Sequence, residues 1–265
     1  MSRARYGNVA GLFFAWLCPL SGKELIMPIR ALVFDVYGTL YDVQSVSNLA
    51  TELCGDQGEL ISQLWRLKQL EYTWLHSLMR SYIDFWSVTR AALEFSLTSV
   101  GIAPSASLCD RLMSRYLHLD LHEEAERALE SLRDYKLAVL SNGSPNMLEP
   151  LLKSSGIAAR FADVISVDRA KVYKPDPACY ALVEPALGVA KNEVMFVSSN
   201  GFDVAGAKHY GFQVVSIERA GAPQPESSDV GAADFYRLIR GRAERLGFEP
   251  DHRAARLTEL AALLQ

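Results

Sequence analysis

An open, doubly wound α/β sheet with a helical insertion after its first strand is the fold this sequence predicts. Three observations carry the prediction. Short apolar runs recur without polar alternation, the pattern of parallel strands covered on both faces. Helical stretches separate them, as in strand–helix–strand units. Three of the runs end in a polar residue that can do chemistry, Asp35, Ser141 or Ser198, and open sheets of this kind bind ligands beyond the carboxyl ends of their strands.

In chain order, Arg3 and Arg5 precede an apolar stretch from Val9 to Leu20, the layout of a short secretory signal. It is too short to span a bilayer, which takes about 20 apolar residues, and no small-x-small cleavage site follows. A translation start at Met27, with residues 1–26 an upstream extension, is preferred over an export signal. Ala31–Phe34 is the first strand, ending at Asp35 before a glycine turn. Residues 44–118 lack strand runs, and Leu60, Leu64, Leu67, Trp74 and Leu78 fall near helical spacing, so a helical lid is expected there. The expected α/β core is therefore 27–43 with 119–265, and 44–118 is the cap.

Further strands are expected at Lys136–Leu140, Val164–Val167, Val194–Val197 and Gln213–Ile217. One helix opens at Ser144-Pro145, an N-cap followed by proline at the first helical position. Another opens near Pro177, and a third runs through Ala205–Tyr210 to a terminating Gly211. Ala220–Ala233 reads as a loop, and two last helices are expected around Ala233–Leu246 and Ala254–Leu264.

The chain has 265 residues, 49% hydrophobic and 22% charged, which fits a globular protein and argues against disorder. With 27 basic and 31 acidic side chains the net charge is -4, so there is no electrostatic case for nucleic acid or an anionic membrane as partner. Cys18, Cys54, Cys109 and Cys179 show no zinc spacing and no C-x-x-C pair, which suggests free thiols in a reducing cytoplasm.

The chemistry sits in five short segments. They are Phe34-Asp35-Val36-Tyr37-Gly38-Thr39-Leu40, Leu64-Trp65-Arg66-Leu67-Lys68-Gln69-Leu70-Glu71-Tyr72-Thr73-Trp74, Leu140-Ser141-Asn142-Gly143-Ser144, Val172-Tyr173-Lys174-Pro175-Asp176 and Phe196-Val197-Ser198-Ser199-Asn200. An aspartate before a glycine turn is by itself more often a structural turn residue; its weight comes from this company and order. Together they resemble the haloacid dehalogenase superfamily, and most closely its type II L-2-haloacid dehalogenases, from about Pro28 to Ile217.

The resemblance implies hydrolysis of short-chain L-2-haloacids to D-2-hydroxy acids, with inversion at C2, through an ester on Asp35 and without a metal or other cofactor. It assigns Lys174 to pair with Asp35, and Thr39, Ser198 and Asn200 to position both. Ser141 and Asn142 would hold the substrate carboxylate, Arg66 the departing halide, and Asp203 the hydrolytic water. Tyr180 matches a site tyrosine and could equally be a core aromatic; Tyr37, Leu70, Phe85 and Phe202 would wall the alkyl group, with plain packing as the alternative for all four. A homodimer is also implied.

A magnesium-dependent phosphatase of the same superfamily is the alternative. That branch has a second aspartate two residues after the nucleophile, to protonate an alkoxide; here that position is Tyr37. Halide departs without a proton, so the acid is dispensable for dehalogenation. The neutral Ser198-Ser199-Asn200 run leaves Asp203 as the lone carboxylate there, poor provision for magnesium. A non-catalytic interaction protein is the third reading. Two departures from the dehalogenase pattern, Leu67 for glutamine and Phe202 for tryptophan, bear on pocket shape and so on halide and chain-length preference.

Overall fold

The computed structural model describes residues 28–219, 244 and 246–264. The expectations for residues 1–26 and Met27, for Cys18, for the loop at 220–233 and for most of the helix at 233–246 lie outside these residues.

Strand β1 (Ala31–Phe34) is buried throughout. Every residue of ALVF is apolar, and full burial of each large side chain contributes about 1.5–3 kcal/mol. It pairs in parallel with β4 (Lys136–Ser141) on one side and β6 (Val194–Ser198) on the other. With β5 (Asp163–Ser166), β7 (Gln213–Ile217) and β8 (His252–Ala254), they form a parallel sheet of order β5-β4-β1-β6-β7-β8. The expected doubly wound sheet is present. The chain moves outward from β1 through β4 to β5, then crosses back to β6, so β1 and β6 border the switch point where such sheets hold ligands.

Two short strands, β2 (Tyr41–Asp42) and β3 (Asp120–Leu121), pair antiparallel. The chain enters and leaves the helical segment through this ribbon. Between them lie α1 (Val46–Cys54), α2 (Gly58–Leu78), α3 (Phe85–Ser99) and α4 (Ala106–Arg115). Asp84 caps α3 by accepting from the Ser87 N–H at 3.0 Å, and Ser105 caps α4 at the Leu108 N–H.

The buried side of α2 is not its leucine row. Ile61, Trp65, Arg66, Gln69, Leu70 and Thr73 face inward, while Leu60 is 40% and Leu78 80% exposed. The leucine periodicity located the helix but not its buried face, because Arg66, Gln69 and Thr73 satisfy their polar groups inside and so can occupy it.

Helix α6 (Pro145–Ser154) begins where expected, but the Ser144 side chain makes no capping bond and its Oγ is buried without a partner. Pro177 opens a short helix, α7 (Pro177–Tyr180), capped by Asp176, and α8 (Val183–Leu187) follows it. Helix α9 (Gly201–Tyr210) ends at Gly211 with φ +110, as the glycine suggested. The expected helix at Ala254–Leu264 needs correction. Residues 252–254 form β8 instead, followed by a 3-10 turn at Leu257–Glu259 and a short helix at Leu260–Leu263. The open edge of β7 accepts β8 as a further strand, a tertiary opportunity that helix-favouring residues do not reveal.

Candidate active site

The Asp35 backbone N–H donates to Val197 O at 2.9 Å, which carries the β1–β6 ladder one residue past the strand and places the carboxyl group at its end. Gly38, at φ +90, then lets the chain double back, with Gly38 N–H donating to Tyr41 O. The turn returns Thr39 beneath its own aspartate. Thr39 Oγ1 donates to Asp35 Oδ2 at 2.9 Å, Asn200 Nδ2 donates to the same oxygen at 2.8 Å, and Ser198 Oγ lies 3.5 Å from it. Ser199, not singled out in the sequence, locks this corner. Its N–H donates to Thr39 Oγ1 and its hydroxyl to Gly38 O at 2.7 Å.

The other Asp35 oxygen meets Lys174. Its ammonium is 1% exposed and donates to Asp35 Oδ1 at 3.2 Å, Asp203 Oδ2 at 2.9 Å and Leu140 O at 2.6 Å. Three protons thus find three acceptors. Burial opposes the ammonium's charge, but Asp203 and Asp35 outweigh it and raise its pKa. Burial likewise pushes the Asp203 carboxyl up to about 6, against the pull of Lys174. The Lys174 N–H donates to Asn142 Oδ1 at 3.0 Å, so Asn142, on the turn after β4, orients the lysine's backbone and keeps its amide NH2 as a donor. Ser141 Oγ accepts from Gly143 N–H.

Tyr180 takes the place of a core aromatic and also meets the site. It is wholly buried among Phe196, Tyr210 and Phe212, and its hydroxyl donates to Asp203 Oδ1 at 2.8 Å. It therefore braces a carboxylate from behind. Asp203 has both oxygens engaged, by Lys174 and Tyr180.

From α2, the Arg66 guanidinium is buried and reaches the Tyr37 carbonyl at 3.5 Å, the same carbonyl that accepts from Asn200 Nδ2 at 3.0 Å. Arg66 thereby comes alongside the Asp35 corner. Gln69 Oε1 accepts from Arg66 at 2.6 Å, while Gln69 Nε2 donates to Thr89 on α3 at 2.7 Å. The sequence reading named Arg66 but not these supports; the i, i+3 spacing of Arg66 and Gln69 was the available signal.

Tyr37 packs against Phe85, with ring centroids 5.5 Å apart, and Phe202 meets Trp74 at 5.3 Å. Leu70 is buried on α2, one turn after Arg66. The Tyr37 hydroxyl is buried with no hydrogen-bond partner, and burial pushes its pKa far above the usual phenol range. It is therefore a poor acid for an alkoxide leaving group. Among the described residues, no group of three or more His, Cys, Asp or Glu side chains is placed to hold a metal ion. With Asp203 already paired to Lys174 and residues 198–200 neutral, the donor set does not suit magnesium.

Residues 29–211 match the haloacid dehalogenase-like hydrolase family. The chain is 44% identical over 241 residues to an (S)-2-haloacid dehalogenase of Xanthobacter autotrophicus, covering 89% of this chain and 95% of that protein. It is 43% identical over 201 residues to (S)-2-haloacid dehalogenase 4A of Burkholderia cepacia, covering 75% and 87%. A solved structure of the Xanthobacter autotrophicus L-2-haloacid dehalogenase with chloropropionic acid covalently bound superposes with a TM-score of 0.86 at 43% identity, covering 89% of this chain and 98% of that one.

Proposed function

This chain belongs to the haloacid dehalogenase-like hydrolases, and from that premise we propose that it hydrolyses short-chain L-2-haloalkanoic acids to D-2-hydroxy acids. The observation that carries the reading is the unequal provision at Asp35. Among the described residues, Oδ2 has three neighbouring donors, whereas Oδ1 has only the Lys174 ammonium. Oδ1 is thus held in place by one donor and left with a lone pair to attack.

Attack of Oδ1 on C2 forms the ester bond, breaks the carbon–halide bond and inverts C2; the halide leaves with the bonding pair. Arg66, held by Gln69 and the Tyr37 carbonyl, stands where it can receive that anion. Ser141 and the Asn142 amide NH2 hold the substrate carboxylate. Tyr37, Leu70, Phe85 and Phe202 wall the alkyl group.

In the ester, Oδ2 becomes the carbonyl oxygen, with Thr39 and Asn200 already donating at 2.9 and 2.8 Å. Those distances suit an oxyanion, so water adding to this carbon meets a ready-made stabilising pair. Asp203, close to neutral titration, accepts the water's proton. Lys174 protonates the departing alkoxide, and the proton on Asp203 returns to Lys174. Asp35 keeps one oxygen from water and sheds its proton to solvent with the halide. Each product hydroxyl therefore carries an oxygen that was in Asp35.

In this reading residues 44–118 act as a cap that closes the pocket. Leu75, Leu78 and Met79 on and after α2, with Phe95 on α3, are exposed and fit a homodimer formed through the cap. Light scattering at the mass of one chain would refute that pairing. Cys54, Cys109 and Cys179 are unpaired, which supports a reducing cytoplasm. Among the described residues, no helix is long and apolar enough to cross a membrane.

The test of the mechanism is one turnover of L-2-chloropropionate in oxygen-18 water with enzyme in excess, with and without a chelator. The first hydroxy acid should be unlabelled, with chloride release unaffected by chelation. Label in that first product, or activity restored only by magnesium, would overturn the reading.

A further inference from the structure

The Gly38 and Thr39 carbonyls are held from outside the site by one side chain. Arg219, two residues beyond β7, donates Nη1 to Gly38 O at 3.1 Å and Nη2 to Thr39 O at 2.8 Å. Its Nε and Nη2 also donate to Glu124 Oε1, at 3.1 and 3.0 Å. Glu124 lies just before α5 (Ala125–Ser131) and, paired with Arg219, fixes the guanidinium plane. Gly38 O is further shared with Ser199 Oγ at 2.7 Å and the His122 ring at 3.2 Å.

Residues 36–40 of that loop lie between β1 and β2, outside both sheets. The loop's internal bonds are the turn contacts of the Thr39, Leu40 and Tyr41 N–H groups to Val36 O and of Gly38 N–H to Tyr41 O, and its Leu40 carbonyl accepts from the His122 N–H at 2.9 Å. Yet it must hold Thr39 Oγ1 within 2.9 Å of Asp35. A planar fork reaching two successive carbonyls while paired to a carboxylate constrains orientation in a way a single ammonium cannot.

We propose that Arg219, anchored by Glu124, is a positioning residue for the displacement at Asp35. It touches neither substrate nor reacting atoms. It acts through the Gly38 and Thr39 carbonyls, setting the Thr39 hydroxyl and the Ser199 corner against the nucleophile. The inference rests on reading Asp35 as nucleophile, and the test keeps the two apart.

The experiment compares Arg219→Lys with the parent chain in single-turnover ester formation from L-2-chloropropionate, in KM, in near-ultraviolet circular dichroism and in amide exchange of residues 36–41. Ester formation should fall at least about tenfold, with KM within about twofold and the dichroism unchanged. Exchange of the loop amides should quicken at least about threefold. A smaller fall in rate, or a fall accompanied by an equal rise in KM and a lost dichroism signal, overturns the proposal. If Arg219→Lys does not fold, Glu124→Gln removes the anchoring charge, leaves the arginine in place and carries the same expectations. If the parent forms no ester, the reading of Asp35 fails by itself, and the exchange comparison still decides whether the fork holds the loop.

Discussion

Replacing Lys174 with methionine keeps the volume of the side chain and deletes its charge and three hydrogen bonds. The vacated nitrogen lies 3.2 Å from Asp35 Oδ1, 2.9 Å from Asp203 Oδ2 and 2.6 Å from Leu140 O. Two carboxylates then face each other without a cation. At about 6 Å and an effective dielectric near 20, their repulsion is about 3 kcal/mol. Leaving a buried charge unpaired costs about 3–5 kcal/mol in stability. Asp203, already raised to about 6 by burial, loses the cation that holds it down and rises further.

The sign follows from linkage. A carboxyl whose folded-state pKa exceeds its unfolded value contributes stability below the unfolded pKa, lost as pH rises through the folded one. The Lys174→Met penalty should therefore be largest near pH 8 and shrink towards pH 4. Denaturant titrations at both pH values measure it, and chloride release from L-2-chloropropionate should fall about 10²–10³-fold at pH 8. A stability loss under about 1 kcal/mol at pH 8, or one that grows on acidification, would refute the account of Lys174 as the cation shared by two carboxylates.

Two further perturbations probe the neighbouring parts. Thr39→Val removes the hydroxyl that donates to Asp35 Oδ2; hydrolysis of the ester should slow about 10²-fold, so that the adduct on Asp35 accumulates in intact-protein mass spectrometry, whereas rapid turnover without adduct would count against an oxyanion role. Gly206→Ala on α9 would place a Cβ 2.4 Å from the Tyr180 hydroxyl and 2.6 Å from Pro175 Cβ; despite alanine's helix preference of about 1 kcal/mol, overpacking should destabilise by about 1–3 kcal/mol and lower activity by displacing the brace on Asp203, and an unchanged denaturation midpoint would show that the contact yields.

The strands that carry the site were legible because each holds a continuous apolar run, at 31–34, 137–140 and 194–197, the pattern of parallel strands covered on both faces. Asp35, Ser141 and Ser198 then fell at the strand ends by position alone. The edge of the sheet was not legible. His252–Ala254 joins it because β7 offers unpaired backbone groups, a property of β7 rather than of the joining residues. The buried face of α2 was not legible for a related reason. Periodicity reports that a face is apolar but not which surface will cover it, and the buried face holds Arg66 and Gln69, whose partners Tyr37 and Thr89 lie 29 and 20 residues away.

The sequence by itself determined the parallel-sheet class, the acid, the lysine and the neutral last motif, since these depend on side-chain chemistry and on local hydrophobic pattern. Only the folded chain decided that one oxygen of Asp35 meets Lys174 while the other takes Thr39 and Asn200, that the Tyr180 hydroxyl donates to Asp203, and that Arg219 grips the loop after Asp35. Those are contacts between residues up to 181 positions apart. Their geometry depends on how strands and turns stack in space, which no local stretch of sequence encodes.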